Sequence, residues 1–225
     1  PAAGSFLRHG FDFVLFDGEF VRAGASYSFI KLSVMAGKEG LSGLEFAGGI
    51  PGSVGGAVYM NAGAHGSDVS CILKSADIVW EDGTLETCSQ EEMGFSYRHS
   101  LLQERRGIVT EAVFRLKSGD RKEIAAALAT YKDRRRRTQP LQMACAGSVF
   151  RNPPNDHAAR LIEAAGMKGA REGDAEVSLM HANFIVNHGD AKAEDVLTLM
   201  RRVQSTVEDQ FGIRLVPEVL LMGER

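Results

Sequence analysis

The sequence predicts an α+β fold in two parts. Its first half is rich in β-branched runs broken by Asp-Gly turns, its second half alternates helix-period and strand-period patterns, and a glycine-dense segment lies between the first helix and the second hairpin. At a prior of about 150 residues per domain, 225 residues make one large domain or two modest ones, with ample chain for a core. Apolar residues at 44% and charged residues at 24% match an ordinary folded protein and exclude a disordered, collagen-like or disulfide-scaffold chain. The net charge of -3 gives no general attraction to polyanions, so nucleic acid is not an expected partner. Cys71, Cys88 and Cys145 are odd in number and lack CxxC spacing, and the six histidines lack ligand spacing, so no metal site is expected and a reducing cytoplasm fits. No apolar run approaches the roughly 18 residues of a membrane helix, and the Pro1 start shows no secretory pattern.

Phe11 to Phe16 and Glu19 to Ala23 form the first expected hairpin around Asp17-Gly18. Ala76 to Glu81 and Thr84 to Cys88 form the second around Asp82-Gly83, both with type I′ turns. Ser28 to Glu39 reads as a short amphipathic helix closed by Gly40, and Gly107 to Leu116 as a buried strand. Asp120 to Arg136 reads as a helix capped by Asp120 and ending in basic residues. Beyond Pro140 the pattern gives a short strand near Ser148 to Arg151, a helix from Asp156 to Ala165, and a strand from Phe184 to Asn187. A long helix from Ala193 to Phe211 and an apolar strand from Ile213 to Met222 complete it.

Residues Gly40 to Gly66 hold nine of the 25 glycines. That density costs backbone entropy unless main chain must approach something closely, either a bound ligand or a neighbouring sheet. GxxxxGK[ST] is absent, and so is a GxGxxG opening a helix after a strand, so both familiar phosphate loops are excluded.

The stretch LEFAGGIPGSVGGAVYMNAGAHG at 44–66 is followed in order by FSYRHS at 95–100, GIVT at 107–110, AGSVFRNP at 146–153, HANFIVN at 181–187 and VPEV at 216–219. Together they closely resemble the MurB family of UDP-N-acetylenolpyruvoylglucosamine reductases. The resemblance implies the remainder of a two-lobed FAD-binding domain of the PCMH-type flavoprotein superfamily at 1–138, and a smaller α/β substrate-binding domain at 139–225. It implies FAD as cofactor, NADPH as co-substrate and UDP-N-acetylglucosamine enolpyruvate as substrate, reduced in the cytoplasm to UDP-N-acetylmuramate for peptidoglycan synthesis. Cofactor contacts fall on Gly49, Ile50, Pro51, Gly52, Ser53, Gly55, Gly56, Ala57, Asn61, Gly63, Gly66, Ile108 and Val109.

Arg98, between aromatic residues, suits a bidentate carboxylate contact or a structural ion pair. The resemblance makes it the catalytic arginine on the substrate carboxylate and enolate. Ser148 follows a glycine, as turn residues often do, and a hydroxyl donates a proton only to a strongly basic carbanion. The resemblance makes it the general acid at C2. Glu218, in an apolar run beside Pro217, either faces solvent on an edge or is buried with partners, and the resemblance makes it the third catalytic residue. Asn152 resembles a family asparagine on the substrate diphosphate; among the histidines His181 is the candidate for a substrate-side contact, and closure over the substrate falls to Tyr97 or Tyr131.

Arg134 to Arg137 reads as a solvated helix end or a phosphate-collecting run, with Thr138 and Gln139 where some members carry a basic residue before the proline. The short Pro140 to Ser148 interval resembles the type without the extra C-terminal-subdomain loop. Family members carry a GxGSNLL-type loop upstream of the first hairpin, which Ala3 to Leu7 does not match, so weak FAD binding is expected of this polypeptide. Two other functions stay open at this point. One is a related flavin oxidoreductase sharing the glycine-rich half, and the other a degenerate homologue that binds UDP-sugar without turnover.

Overall fold

The computed structural model describes residues 10–222, so the reading of Ala3 to Leu7 and the Pro1 start lies outside the described residues. The chain divides into two compact units, Pro1–Asp133 and Arg134–Arg225.

The first unit is built on an antiparallel five-stranded sheet. Strands β1 (Val14–Asp17) and β2 (Phe20–Gly24) lead into helix α1 (Phe29–Lys38), the short β3 (Leu41–Ser42), helix α2 (Val54–Tyr59) and the two-residue strands β4 (Gly63–Ala64) and β5 (Ser67–Asp68). Then follow β6 (Leu73–Trp80), β7 (Leu85–Ser89), β8 (Gly107–Arg115), β9 (Lys117–Ser118) and helix α3 (Arg121–Thr138). The sheet order is β1-β2-β8-β6-β7, which places β8 centrally, with Val21 opposite Phe114 and Ala112 opposite Ala76. Val21, Phe29, Leu32, Ile78, Ala112 and Phe114 are fully buried or nearly so, and removing such side chains from water is the main driving force for this layer. Ser28 caps α1 by accepting from Lys31 N, and Gly40 follows its end at φ 76°. Asp120 Oδ1 accepts from the amides of Lys122 and Glu123 at the start of α3, as its spacing predicts.

The second unit holds strands β10 (Ala144–Ser148), β11 (Arg171–Glu172), β12 (Ala175–Val177) and β13 (Phe184–Asn187), paired antiparallel in the order β10-β13-β12-β11. Helices α4 (Ala158–Ala164) and α5 (Ala193–Phe211) bury Leu161, Ile162, Leu199, Val203 and Val207 in its core with Ala175 and Val177. Gly212 ends α5 at φ 67°, its amide donating to Glu208 O.

The α+β expectation holds, while several local expectations are corrected. The first hairpin pairs Asp17 with Phe20, so its two-residue loop is Gly18-Glu19, and only Gly18 has positive φ. In the second, Gly83 N donates to Trp80 O and Trp80 N to Thr84 O, with positive φ at Gly83 alone. Neither turn is type I′, which needs two such residues. Asp82 instead accepts from both the amide and the hydroxyl of Thr84, a local bond that fixes the longer loop. The strand expected near Ser148 to Arg151 runs earlier, at β10, with a register shift between Cys145 and Ser148. The strand expected from Ile213 to Met222 is reduced to one bridge, Phe150 with Pro217, because Val149 N donates to Asn183 O rather than to the Glu218 carbonyl that would continue the ladder.

Candidate active site

The glycine-dense segment contains two kinds of glycine. A Cβ on Gly48 would lie 2.5 Å from Leu128 Cδ2, one on Gly55 3.0 Å from Ala25 Cβ, and one on Gly63 2.5 Å from Asp68 Cβ, so these three are packing glycines. Gly52 at φ 129° and Gly66 at φ 83° open onto free space, and a Cβ on Gly56 would meet only its neighbour Ser53 Oγ, at 3.5 Å. Gly56 is the informative one. It sits inside α2, where glycine costs about 1 kcal/mol relative to alanine, and neither a positive φ nor a packed neighbour requires it. Ser53 caps α2 by accepting from Gly56 N. The loop before α1 is zipped to this segment by Val54 N to Tyr27 O and Gly55 N to Ala25 O, each 2.9 Å, and it contains Ser26, whose buried Oγ has no hydrogen-bond partner among the described residues. A bare backbone surface edged by an unsatisfied hydroxyl fits the close approach of a flavin nucleotide. The residues able to line it are Pro51, Gly52, Ser53, Gly56 and Gly66.

Other residues expected at the cofactor contribute differently. Ala57 and Val109 are buried in the sheet core, so only their backbone is available, whereas Ile108 is exposed on β8. Asn61 is 2% exposed with its amide engaged inside the fold: Nδ2 donates to Ser96 O (2.9 Å) and Asp68 (3.3 Å), and Oδ1 accepts from Ser70 N (2.9 Å).

Those bonds lead to Arg98. It occupies the left-handed region at φ 56°, a strain of roughly 1–2 kcal/mol for a residue with a Cβ. Asn61 (φ 41°) and His65 (φ 56°) share that conformation in the same corner. The Arg98 guanidinium donates to Gly63 O at 3.0 Å and lies 5.0 Å from the centre of the half-exposed Tyr97 ring. His65 stacks on Tyr131 with ring centroids 4.0 Å apart and planes 4° from parallel. The first unit thus brings Arg98 onto the glycine segment.

The second unit brings Ser148 beside Glu218. Glu218 N donates to Val149 O and Arg151 N to Val216 O, both at 2.8 Å, so the last described stretch lies along the residues that follow Ser148. Gly147 at φ 84° turns the chain immediately before the serine. Asn152 Oδ1 accepts from Ala158 N, satisfying an amide at the start of α4. Burial holds the His181 imidazole below its ordinary pKa, with Lys168 adding to the effect. Its Nδ1 accepts from Asn183 N at 3.2 Å, so the neutral ring carries its proton on Nε2. In the Arg134 to Arg137 run, Arg135 is only partly exposed, its Nε donating to Gln139 Oε1 at 2.9 Å while desolvation lowers its pKa. Sequence reasoning missed Asn183 and Gln103, whose amides bond the backbone of Phe150 and of Arg98; Asn183 lies inside the quoted 181–187 motif, whereas Gln103 lies outside every quoted motif and carried no signal. Among the described residues no His/Cys/Asp/Glu group could hold a metal ion, and no helix is long and apolar enough to cross a membrane.

Comparison with known proteins draws these features together. Residues 139–222 match the C-terminal domain of UDP-N-acetylenolpyruvoylglucosamine reductase, and residues 9–89 match an FAD binding domain. The UDP-N-acetylenolpyruvoylglucosamine reductase of Bacillus licheniformis is 53% identical over 97% of this chain and 73% of its own length. The Bacillus subtilis protein of the same name is 51% identical over 96% and 72%. The chain belongs to the UDP-N-acetylenolpyruvoylglucosamine reductase family. The crystal structure of the Thermus caldophilus reductase superposes with a TM-score of 0.78 at 41% identity, covering 89% of this chain and 72% of that one. This reductase family is a family of oxidoreductases, and the FAD-domain match bears out the expected cofactor. That match spans α1, the glycine segment and α2, where the open glycines lie.

Proposed function

We propose that this chain, in the cytoplasm, reduces UDP-N-acetylglucosamine enolpyruvate to UDP-N-acetylmuramate with NADPH as electron donor, a step of peptidoglycan precursor synthesis. The observation that carries the reading is the strained Arg98 held on the glycine segment. A guanidinium fixed at such cost, within a family named for reducing an enolpyruvyl group, suits the carboxylate of that group. FAD, when bound, supplies the hydride that reaches C3 of the enolpyruvyl double bond.

The chain's own residues do the rest. Arg98 binds the carboxylate and stabilises the negative charge that spreads onto it as C3 accepts hydride. Ser148 donates its hydroxyl proton to C2, where the carbanion is basic enough to take it. Glu218, beside the Ser148 strand, acts on the same enolate from the second unit. Asn152, through its side-chain amide, and His181, through Nε2–H, donate to the nucleotide-sugar, and Tyr97 covers the bound substrate. Gly49, Ile50, Gly55, Ala57, Gly63, Ile108 and Val109 present backbone or surface to the flavin alongside the open glycines.

Ser148→Ala separates the two halves of the reaction. Flavin bleaching by NADPH should stay within about twofold of the parent while product formation falls ~10²–10⁴-fold. Equal loss of both half-reactions removes Ser148 from the role of proton donor.

A further inference from the structure

The turn that carries Arg98 is tied to the end of α2 by a side chain that none of the roles above uses. Gln103 Nε2 donates to Arg98 O at 3.0 Å and to Tyr59 O at 3.4 Å, while Ser100 Oγ donates to the same Tyr59 carbonyl at 2.6 Å. From the other side, Asn61 Nδ2 holds Ser96 O at 2.9 Å. The turn itself closes through Ser96 N to His99 O and His99 N to Ser96 O, at 3.2 and 3.1 Å.

We infer that Gln103 is a positioning residue for Arg98, acting with Asn61 to keep the arginine backbone in its left-handed conformation. The argument is torsional. A residue with a Cβ at φ 56° relaxes toward negative φ unless its surroundings over-determine it. Rotation of Arg98 about its N–Cα bond swings its carbonyl, so a donor fixed on that oxygen opposes relaxation of the strained φ. Asn61 fixes the turn two residues upstream, and Gly63 O receives the guanidinium. Because Tyr59 is the last residue of α2, Gln103 also links Arg98 to the helix that carries the open Gly56. The inference rests on Arg98 being the ligand of the substrate carboxylate, as proposed above.

Gln103→Met removes the donor while keeping an unbranched side chain of similar size. In the flavin-loaded enzyme it should leave flavin reduction by NADPH within about twofold of the parent and slow flavin reoxidation by UDP-N-acetylglucosamine enolpyruvate ~10–100-fold, the usual cost of a misplaced catalytic group. Calorimetry should show about tenfold weaker substrate binding to the oxidised protein, with FAD affinity unchanged. Added to Arg98→Ala, Gln103→Met should cause no further slowing, because it acts through the side chain already removed. Gln103→Glu keeps the shape without the donor and should give the same split if the methionine variant does not accumulate. Unchanged reoxidation, or slowing that multiplies with that of Arg98→Ala, overturns the role of Gln103. An Arg98→Ala variant that reoxidises at the parent rate instead overturns the reading of Arg98, a separate result.

Discussion

Each unit fixes its candidate catalytic stretch through one buried asparagine, and the two do so differently. Asn183, 4% exposed, spends both ends of its amide on one residue: Phe150 N donates to Oδ1 at 2.9 Å and Nδ2 donates to Phe150 O at 2.8 Å. It imitates a strand partner and so continues the β10–β13 pairing past the register shift that ends at Ser148. Asn61 spreads its bonds over Asp68, Ser70 and Ser96, and its own backbone is left-handed. Ser70 N has a second acceptor in Asp68 Oδ1 at 3.0 Å, so part of the load is shared. The Ser148 stretch is therefore held by few, irreplaceable bonds in unstrained backbone, and the Arg98 turn by many shared bonds around a strained one. Stability should be more sensitive in the first case and catalytic geometry in the second.

The largest expected effect tests that contrast. Asn183→Ala strands both backbone groups of Phe150, which is 2% exposed, and should destabilise by about 3–4 kcal/mol, since each unsatisfied buried group costs roughly 1–3. Asn61→Ala leaves the Ser96 carbonyl on His99 N and Ser70 N on Asp68, and should cost about 1–2 kcal/mol. Denaturant unfolding of both variants decides it, and equal losses would erase the distinction.

A smaller effect separates packing glycines from ligand-facing ones. Gly63→Ala puts a Cβ 2.5 Å from Asp68 Cβ and 2.7 Å from Ser67 O, backbone that must shift, for about 1–3 kcal/mol. Gly56→Ala enters open space within a helix and should stabilise the flavin-free protein by roughly 0.5–1 kcal/mol. The same methyl occupies the surface assigned to the flavin, so FAD titration should show weaker binding by Gly56→Ala in spite of its higher stability. Undiminished FAD affinity would move the flavin off α2.

These contrasts also mark what the sequence carried. Helices α1 and α5 were legible because hydrophobic period and stop glycines agree, α3 because of its Asp120 cap, basic end and following Pro140, and strand β13 as a short apolar run. The motifs led to the Arg98 turn and the Ser148 stretch. The hairpins were placed, but both turn types were misread and the first loop was set one residue early, because Asp-Gly serves several turn types and the flanking register chooses among them. The final strand was misread because an apolar run cannot report that its would-be partner, Val149, gives its amide to Asn183 O instead. Two kinds of glycine look alike in a sequence and separate only when their neighbours are in place. Asn183 stayed hidden because its bonds run to Phe150, far back along the chain, and Gln103 because side-chain identity does not encode which carbonyl lies in reach.

The smallest expected effect concerns His181, the residue next but one to Asn183. Burial lowers its folded-state pKa below the ordinary histidine value of about 6.5, so between those two values the unfolded chain binds the proton and the folded one does not. Stability is then full above about pH 6.5 and declines as pH falls toward the folded-state pKa. Protonation at Nδ1 also costs the bond from Asn183 N, which ties the decline to the loop that precedes the Asn183–Phe150 lock. His181→Gln should flatten unfolding stability across pH 5–6.5 while leaving the value above pH 7 nearly unchanged, as read from denaturant midpoints at each pH. The same slope in parent and variant would mean that another group titrates there.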